Sequence, residues 1–151
     1  MNTTLKITII QSELHWENAK ENRAMFSEKI RGIEGKTDLI ILPEMFATGF
    51  SMNAKKLAEP HDGETLQWMI NEAKKANAAI TGSVIISEND NFYNRLFFVF
   101  PDGTFKKYDK KHTFTLAKEN ETYKAGKERL IVNYKGWKIC PLVCYDLRFP
   151  V

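Results

Sequence analysis

The sequence has few cysteines, no long apolar run and no block of one charge. Cys140 and Cys144 are the two cysteines among 151 residues. Four apart on a predicted strand, their Cα atoms would stand about 13 Å apart at ~3.3 Å per residue, whereas a disulfide needs less than about 7 Å. A disulfide between them is excluded, and with no histidine close by the spacing does not fit zinc either. No stretch approaches the roughly 18 apolar residues of a membrane span, and Met1-Asn2-Thr3-Thr4-Leu5-Lys6 leads into a short alternating run rather than a signal peptide. The expected location is therefore the cytoplasm. The 22 basic residues are spread among 19 acidic ones for a formal charge of +3, too mild a balance to argue for nucleic acid or an anionic membrane surface. Neither an internal repeat nor a low-complexity segment is found.

What is present suits a folded α/β domain, expected to span residues 1–151. Hydrophobic residues make up 43% and charged residues 27%, enough apolar surface for one core. Leu5 to Ile10 alternates as a first strand. Asn18 to Ile30 predicts a helix with Ala19, Phe26 and Ile30 on one stripe, ending near Gly32. Asp38-Leu39-Ile40-Ile41-Leu42 is a continuous apolar run of strand length, the pattern of an inner strand buried on both faces. Glu64 to Asn77 predicts a second helix, because Leu66, Met69, Ile70, Ala73 and Ala76 recur at offsets of three and four. Ala79 to Ile86 is β-branched and strand-like although Gly82 interrupts it. Phe92–Phe100 and Thr104–Tyr108 flank Pro101-Asp102-Gly103 and predict a hairpin. After an aperiodic loop from Thr113 to Lys127, Leu130–Tyr134 and Trp137–Val143 around Lys135-Gly136 predict a second one. Pro141 weakens its last strand.

Three positions carry chemistry. Cys144 ends an apolar run that turns abruptly polar, as where a buried strand lifts a side chain out at a sheet edge. A thiolate attacks a carbonyl carbon if one group takes its proton and another holds the resulting oxyanion. The alternative is a small buried hydrophobe. Glu44 lies just past a buried strand and Pro43, where layered α/β folds gather their sites, and partial burial would make it a useful base. It could equally be a solvated loop acid. Lys110 follows the first hairpin in Tyr108-Asp109-Lys110-Lys111-His112-Thr113-Phe114, where alternation puts Tyr108, Lys110 and His112 on one face and Asp109 and Lys111 on the other. A fixed ammonium there could stabilise an oxyanion; the alternative is a solvated basic strand end.

Taken together, Leu42-Pro43-Glu44-Met45-Phe46, the Tyr108–Phe114 segment and Val143-Cys144-Tyr145-Asp146-Leu147-Arg148-Phe149-Pro150 resemble the nitrilase, or carbon-nitrogen hydrolase, superfamily, which carries a Glu-Lys-Cys triad in that order. Asn94, and Tyr123-Lys124-Ala125-Gly126, are similar to it as well. Pro43 to Phe50 and Cys144 to Pro150 look most like the omega-amidase branch, which releases ammonia from 2-oxo acid monoamides such as 2-oxoglutaramate. The resemblance implies Cys144 as nucleophile, Glu44 as general base and then acid, Lys110 and the Tyr145 N–H as oxyanion donors, and a second glutamate beside Lys110, for which Glu119 fits better than Glu121. It implies a thioester intermediate, no metal and no cofactor. Arg148 is a candidate grip for a substrate carboxylate, or a structural partner of Asp146. Phe46 and Phe114 are candidate pocket walls, or plain core.

The implied fold is α/β, the N-terminal portion of a four-layer α-β-β-α sandwich, incomplete at Val151 because the family continues past the nucleophile. A homodimer is expected for the intact protein. Two rival classes remain: a Cys-His hydrolase pairing Cys144 with His112 or His61, and a truncated non-catalytic fragment or interaction module using the basic-aromatic run Lys106 to His112. The mild net charge argues against RNA as a partner of that run.

Overall fold

The computed structural model describes residues 4–149, so the expectations attached to Met1–Thr3, Pro150 and Val151 lie outside the described residues. The first strand, β1 (Ile7–Ile9), leads to helix α1 (Ala19–Arg31). Asn18 caps α1, its side chain accepting from the Glu21 N–H, and Lys29 and Arg31 sit in the last turn, where the helix dipole favours cations. The inner strand β2 (Leu39–Ile41) follows, then a short helix α2 (Ala54–Leu57) and a two-residue strand β3 (Glu59–Pro60) within a stretch with no legible period. Helix α3 (Glu64–Ala76) ends at Asn77 in the left-handed conformation.

Strands β4 (Ala79–Glu88), β5 (Asn91–Val99) and β6 (Phe105–Asp109) complete a six-stranded sheet in the order β1-β2-β4-β5-β6, with β3 also pairing β4. The β1, β2 and β3 pairings are parallel, and β4, β5 and β6 form antiparallel hairpins. Asn89 and Asp90 both have positive φ at the β4–β5 turn, a conformation these side chains tolerate. Helices α1 and α3 cover one face, where Phe26, Ile30, Leu66, Met69 and Ala73 pack on Ile40, Ile80, Val84, Phe97 and Val99. On the other face Leu39, Leu96, Phe98 and Tyr108 pack against Val132 and Tyr134 of a separate two-stranded sheet, β7 (Val132–Tyr134) and β8 (Trp137–Ile139). The layers therefore run helices, sheet, second sheet. Among the described residues no helix is long and apolar enough to cross a membrane.

Two expectations change. The last strand stops at Ile139, and Cys140 to Val143 runs on without a ladder, because Pro141 has no N–H to donate. The aperiodic Thr113–Lys127 loop contains a 3₁₀ turn at Thr115–Ala117 and a one-turn helix α4 at Glu119–Thr122.

One edge of β4 pairs first with β2 and, further on, with β3; Pro43 to Phe46 crosses the gap between them. Leu42 N–H donates to the Thr81 carbonyl, Met45 N–H to Ser83 Oγ and Phe46 N–H to the Ser83 carbonyl. Gly82 permits this crossing: a Cβ there would stand 2.8 Å from the Phe46 ring and 3.0 Å from Leu42 Cβ. These contacts hold Glu44 at the carboxyl end of β2.

Candidate active site

Alternation along β5 and β6 sorts the polar residues onto two faces. Arg95 pairs with Asp109 in the ladder, so Asn94 and Lys110 share the opposite face, where the Lys110 N–H donates to the Asn94 carbonyl. The Lys110 ammonium, 1% exposed, donates to Glu44 Oε1 at 2.7 Å and to Glu119 Oε2 at 2.8 Å. Asn94 Nδ2 bridges the same two carboxylates, reaching Glu44 Oε1 at 2.8 Å and Glu119 Oε1 at 3.0 Å. Its Oδ1 is buried without a partner among the described residues. Burial works to lower the Lys110 pKa, but the hydrogen bonds and charges of Glu119 and Glu44 outweigh it, so the ammonium is held above the ordinary lysine range.

Glu119 is fully buried and also accepts from the Phe114 N–H, whereas Glu121 is exposed. The segment after α4 is tied down by the Tyr123 hydroxyl, which donates to the Ser51 carbonyl, and by the Gly126 N–H, which donates to the Lys110 carbonyl. Gly126 lies so close to β6 that a Cβ would stand 2.1 Å from the Asp109 carbonyl oxygen.

Cys144 opens a 3₁₀ turn, Cys144–Arg148, with φ of 46°. Its residue is exposed, and it lines a cleft of about 280 Å³ together with Glu44, Ser83 and an apolar wall that includes Leu42, Leu96 and Phe98. Burial of the sulfur, then the charge of Glu44, raise the thiol pKa, and Lys110 acts in the lowering direction. The groups that act on it are Glu44, Lys110 and Glu119. His112 Nδ1 is 2.9 Å from Asp146 Oδ1 and its ring stacks on Phe149; His61 Nδ1 is 3.0 Å from Arg95 Nη1. Among the described residues no histidine hydrogen-bonds to Cys144, whereas Glu44 does, which favours the carboxylate over the Cys-His alternative. The Tyr145 N–H has no protein acceptor among the described residues.

The remaining expected residues divide. Phe46 is no pocket wall: it is fully buried between Phe26 and Trp68 in the helix-side core. Phe114 and Tyr145 pack together at 5.2 Å beside the nucleophile turn. Arg148 is exposed and neither lines the cleft nor pairs with Asp146, whose oxygens are taken by Tyr108, Val143 and His112. Nor does the run Lys106 to His112 form one basic surface, since Tyr108 and Lys110 are buried within it.

Sequence reasoning missed Arg95. Its guanidinium, 1% exposed, is bidentate to Asp109 and to Glu88 and holds the Glu88 carboxyl down at about 2. A lone arginine inside an apolar strand pattern was the available signal, since a buried arginine requires paired acids.

The partly buried Glu44 and the buried Lys110 and Glu119 thus cluster near a solvent-reached cysteine in a helix-sheet-sheet stack, the grouping that the resemblance to nitrilase-type proteins implies. The chain belongs to the carbon-nitrogen hydrolase family, whose model matches residues 6–151. It is 46% identical over 149 residues to the omega-amidase YafV of Yersinia enterocolitica, covering 99% of this chain and 57% of that protein. It is 32% identical to the 2-oxoglutaramate amidase of Bacillus subtilis (strain 168), covering 95% of this chain and 57% of that one. Among solved structures, XC1258 of Xanthomonas campestris, a CN-hydrolase superfamily protein with an arsenic adduct in the active site, superposes with a TM-score of 0.94 at 44% identity, covering 97% of this chain and 55% of its own. Saccharomyces cerevisiae Nit3, of the nitrilase superfamily, gives 0.85 at 26%, covering 97% and 57%. The chain thus spans little more than half the length of the relatives it matches.

Proposed function

We propose that the protein is an amidase that cleaves a linear amide through a Cys144 thioester, with 2-oxo acid monoamides as substrates and ammonia as product. The observation that carries this reading is the Glu44–Lys110 contact of 2.7 Å in a residue pair whose carboxylate shares a cleft with the Cys144 thiol. Glu44 Oε1 is occupied by Lys110 and Asn94, which leaves Oε2 for proton transfer. The thiol proton passes to Glu44 as sulfur bonds to the amide carbon. The oxyanion so formed is met by the third N–H of Lys110, two being held by Glu44 and Glu119, and by the Tyr145 N–H. Collapse breaks the C–N bond while Glu44 returns the proton to nitrogen, releasing ammonia. Water then attacks the thioester, gives its proton to Glu44, and the acid leaves as sulfur regains a proton. Glu119 keeps Lys110 charged and fixed in place.

The 46% identity to an omega-amidase supports the substrate class. The test is ammonia release from 2-oxoglutaramate beside simple aliphatic amides. Wild type should turn over the 2-oxo amide best, and Cys144→Ala and Glu44→Gln should abolish turnover; retained turnover in Cys144→Ala overturns the reading. We further propose that the whole protein is a homodimer located in the cytoplasm; light scattering on the eluting peak checks the dimer, and cell fractionation the location.

A further inference from the structure

Asp146 lies two residues past Cys144, is fully buried, and takes no part in the chemistry above. Its Oδ1 accepts from the His112 N–H at 2.8 Å and faces His112 Nδ1 at 2.9 Å. Its Oδ2 accepts from the Tyr108 hydroxyl at 2.8 Å and from the Val143 N–H at 3.1 Å. Tyr108 and His112 flank Lys110 on one face of the β6 exit, and Val143 and Asp146 bracket Cys144. One carboxylate therefore joins the strand end that carries the ammonium to the turn that carries the sulfur. Cys144 itself sits at a positive φ that a side chain adopts only when its surroundings impose it, and the Val143–Asp146 contacts close over that residue in both directions, the Asp146 N–H donating to the Val143 carbonyl at 3.0 Å.

Each Asp146 oxygen holds one backbone N–H, from His112 or from Val143, and a backbone donor cannot reverse its role. An amide of the same shape would aim its NH₂ at one of those donors whichever way it was turned. The site therefore demands an acceptor-only carboxylate and not merely a side chain of this size.

We propose that Asp146 is a positioning residue, fixing the Tyr145 N–H and the Lys110 ammonium in register with the Cys144 sulfur so that both meet the oxyanion. The inference rests on the amidase reading above and names a determinant of its rate that makes no contact with substrate. In the full chain, Asp146→Asn should lower kcat about 100-fold, the scale of a displacement near 1 Å, with KM within about threefold. Alkylation of Cys144 by iodoacetamide, a displacement that forms no oxyanion, should stay within about threefold of wild type by peptide mass. Wild-type kcat in Asp146→Asn, or alkylation falling in parallel with kcat, overturns the positioning role. If Asp146→Asn does not fold, Tyr108→Phe/His112→Ala removes two donors and keeps both backbone ones. It should then lower kcat about tenfold at unchanged KM, and an unchanged kcat refutes the proposal. Failure of the amidase reading looks different: it is turnover surviving in Cys144→Ala, whatever Asp146 variants do.

Discussion

Replacing Lys110 by methionine removes the cation and keeps the length of the side chain. The ammonium stands 2.7 Å from Glu44 and 2.8 Å from Glu119, and of these Glu119 has no exposed surface while the Glu44 side chain keeps 18%. Water can reach Glu44 after the substitution but not Glu119, so the cost falls on one buried carboxylate stripped of its counter-ion. Removing one partner of such a pair costs about 3–5 kcal/mol, and that loss of unfolding free energy is expected in urea denaturation at pH 7 followed by circular dichroism. The pH dependence has a definite sign. Because the folded Lys110 pKa is raised, its stabilisation is complete below the unfolded lysine value of about 10.4 and is lost as pH climbs through the higher folded value. The Lys110 contribution should therefore fade above about pH 10.4, and Lys110→Met should show a smaller alkaline limb, with the raised Tyr108 and Tyr123 hydroxyls keeping the rest. Glu119→Gln and the double variant close the cycle, with a coupling energy of at least about 1 kcal/mol. A loss below about 1 kcal/mol in Lys110→Met, with no coupling to Glu119, would refute the buried-cluster reasoning.

Gly126→Ala forces a Cβ onto the Asp109 carbonyl, where backbone meets backbone, and should cost about 1–3 kcal/mol by the same denaturation measurement. In Glu44→Gln the thiol loses a charge that raises its pKa, so the pH profile of Cys144 alkylation should move down, whereas in Lys110→Met it should move up. Glu88, held at about 2, contributes stability that is present above the unfolded glutamate value of about 4.3 and is lost as pH falls from there. Arg95→Met should shrink that acid limb, read as the urea midpoint against pH.

Elements whose apolar residues face a single partner were legible from sequence. Helices α1 and α3 announce themselves because Phe26 and Ile30, and Leu66, Met69 and Ala73, each fill one side of the sheet. Glu44 and Lys110 were picked out by the resemblance of their motifs; the apolar run before Pro43 and the alternation around Lys110 alone left a solvated loop acid and a basic strand end as alternatives. Short pieces were not: α2 and β3 owe their form to β4 and to loop contacts rather than to a local period. Phe46 misled because proximity to Glu44 in the chain says nothing of direction; the crossing over Gly82 turns its ring into the helix-side core. Arg148 misled in the opposite way, since Asp146 is engaged by no arginine but by the Tyr108 hydroxyl and the His112 imidazole and N–H, 34 to 38 residues upstream, beside the nearby Val143 N–H. Such long-range polar contacts leave no periodic trace.

Peptide mass spectrometry of acid-quenched protein after brief exposure to 2-oxoglutaramate tests most directly whether thiol, carboxylate and ammonium act on one carbonyl. The expected result is an acyl adduct on the peptide holding Cys144, absent in Cys144→Ala and not formed in Lys110→Met. Ammonia release with no adduct on that peptide, or an adduct that forms equally well without Lys110, would contradict it.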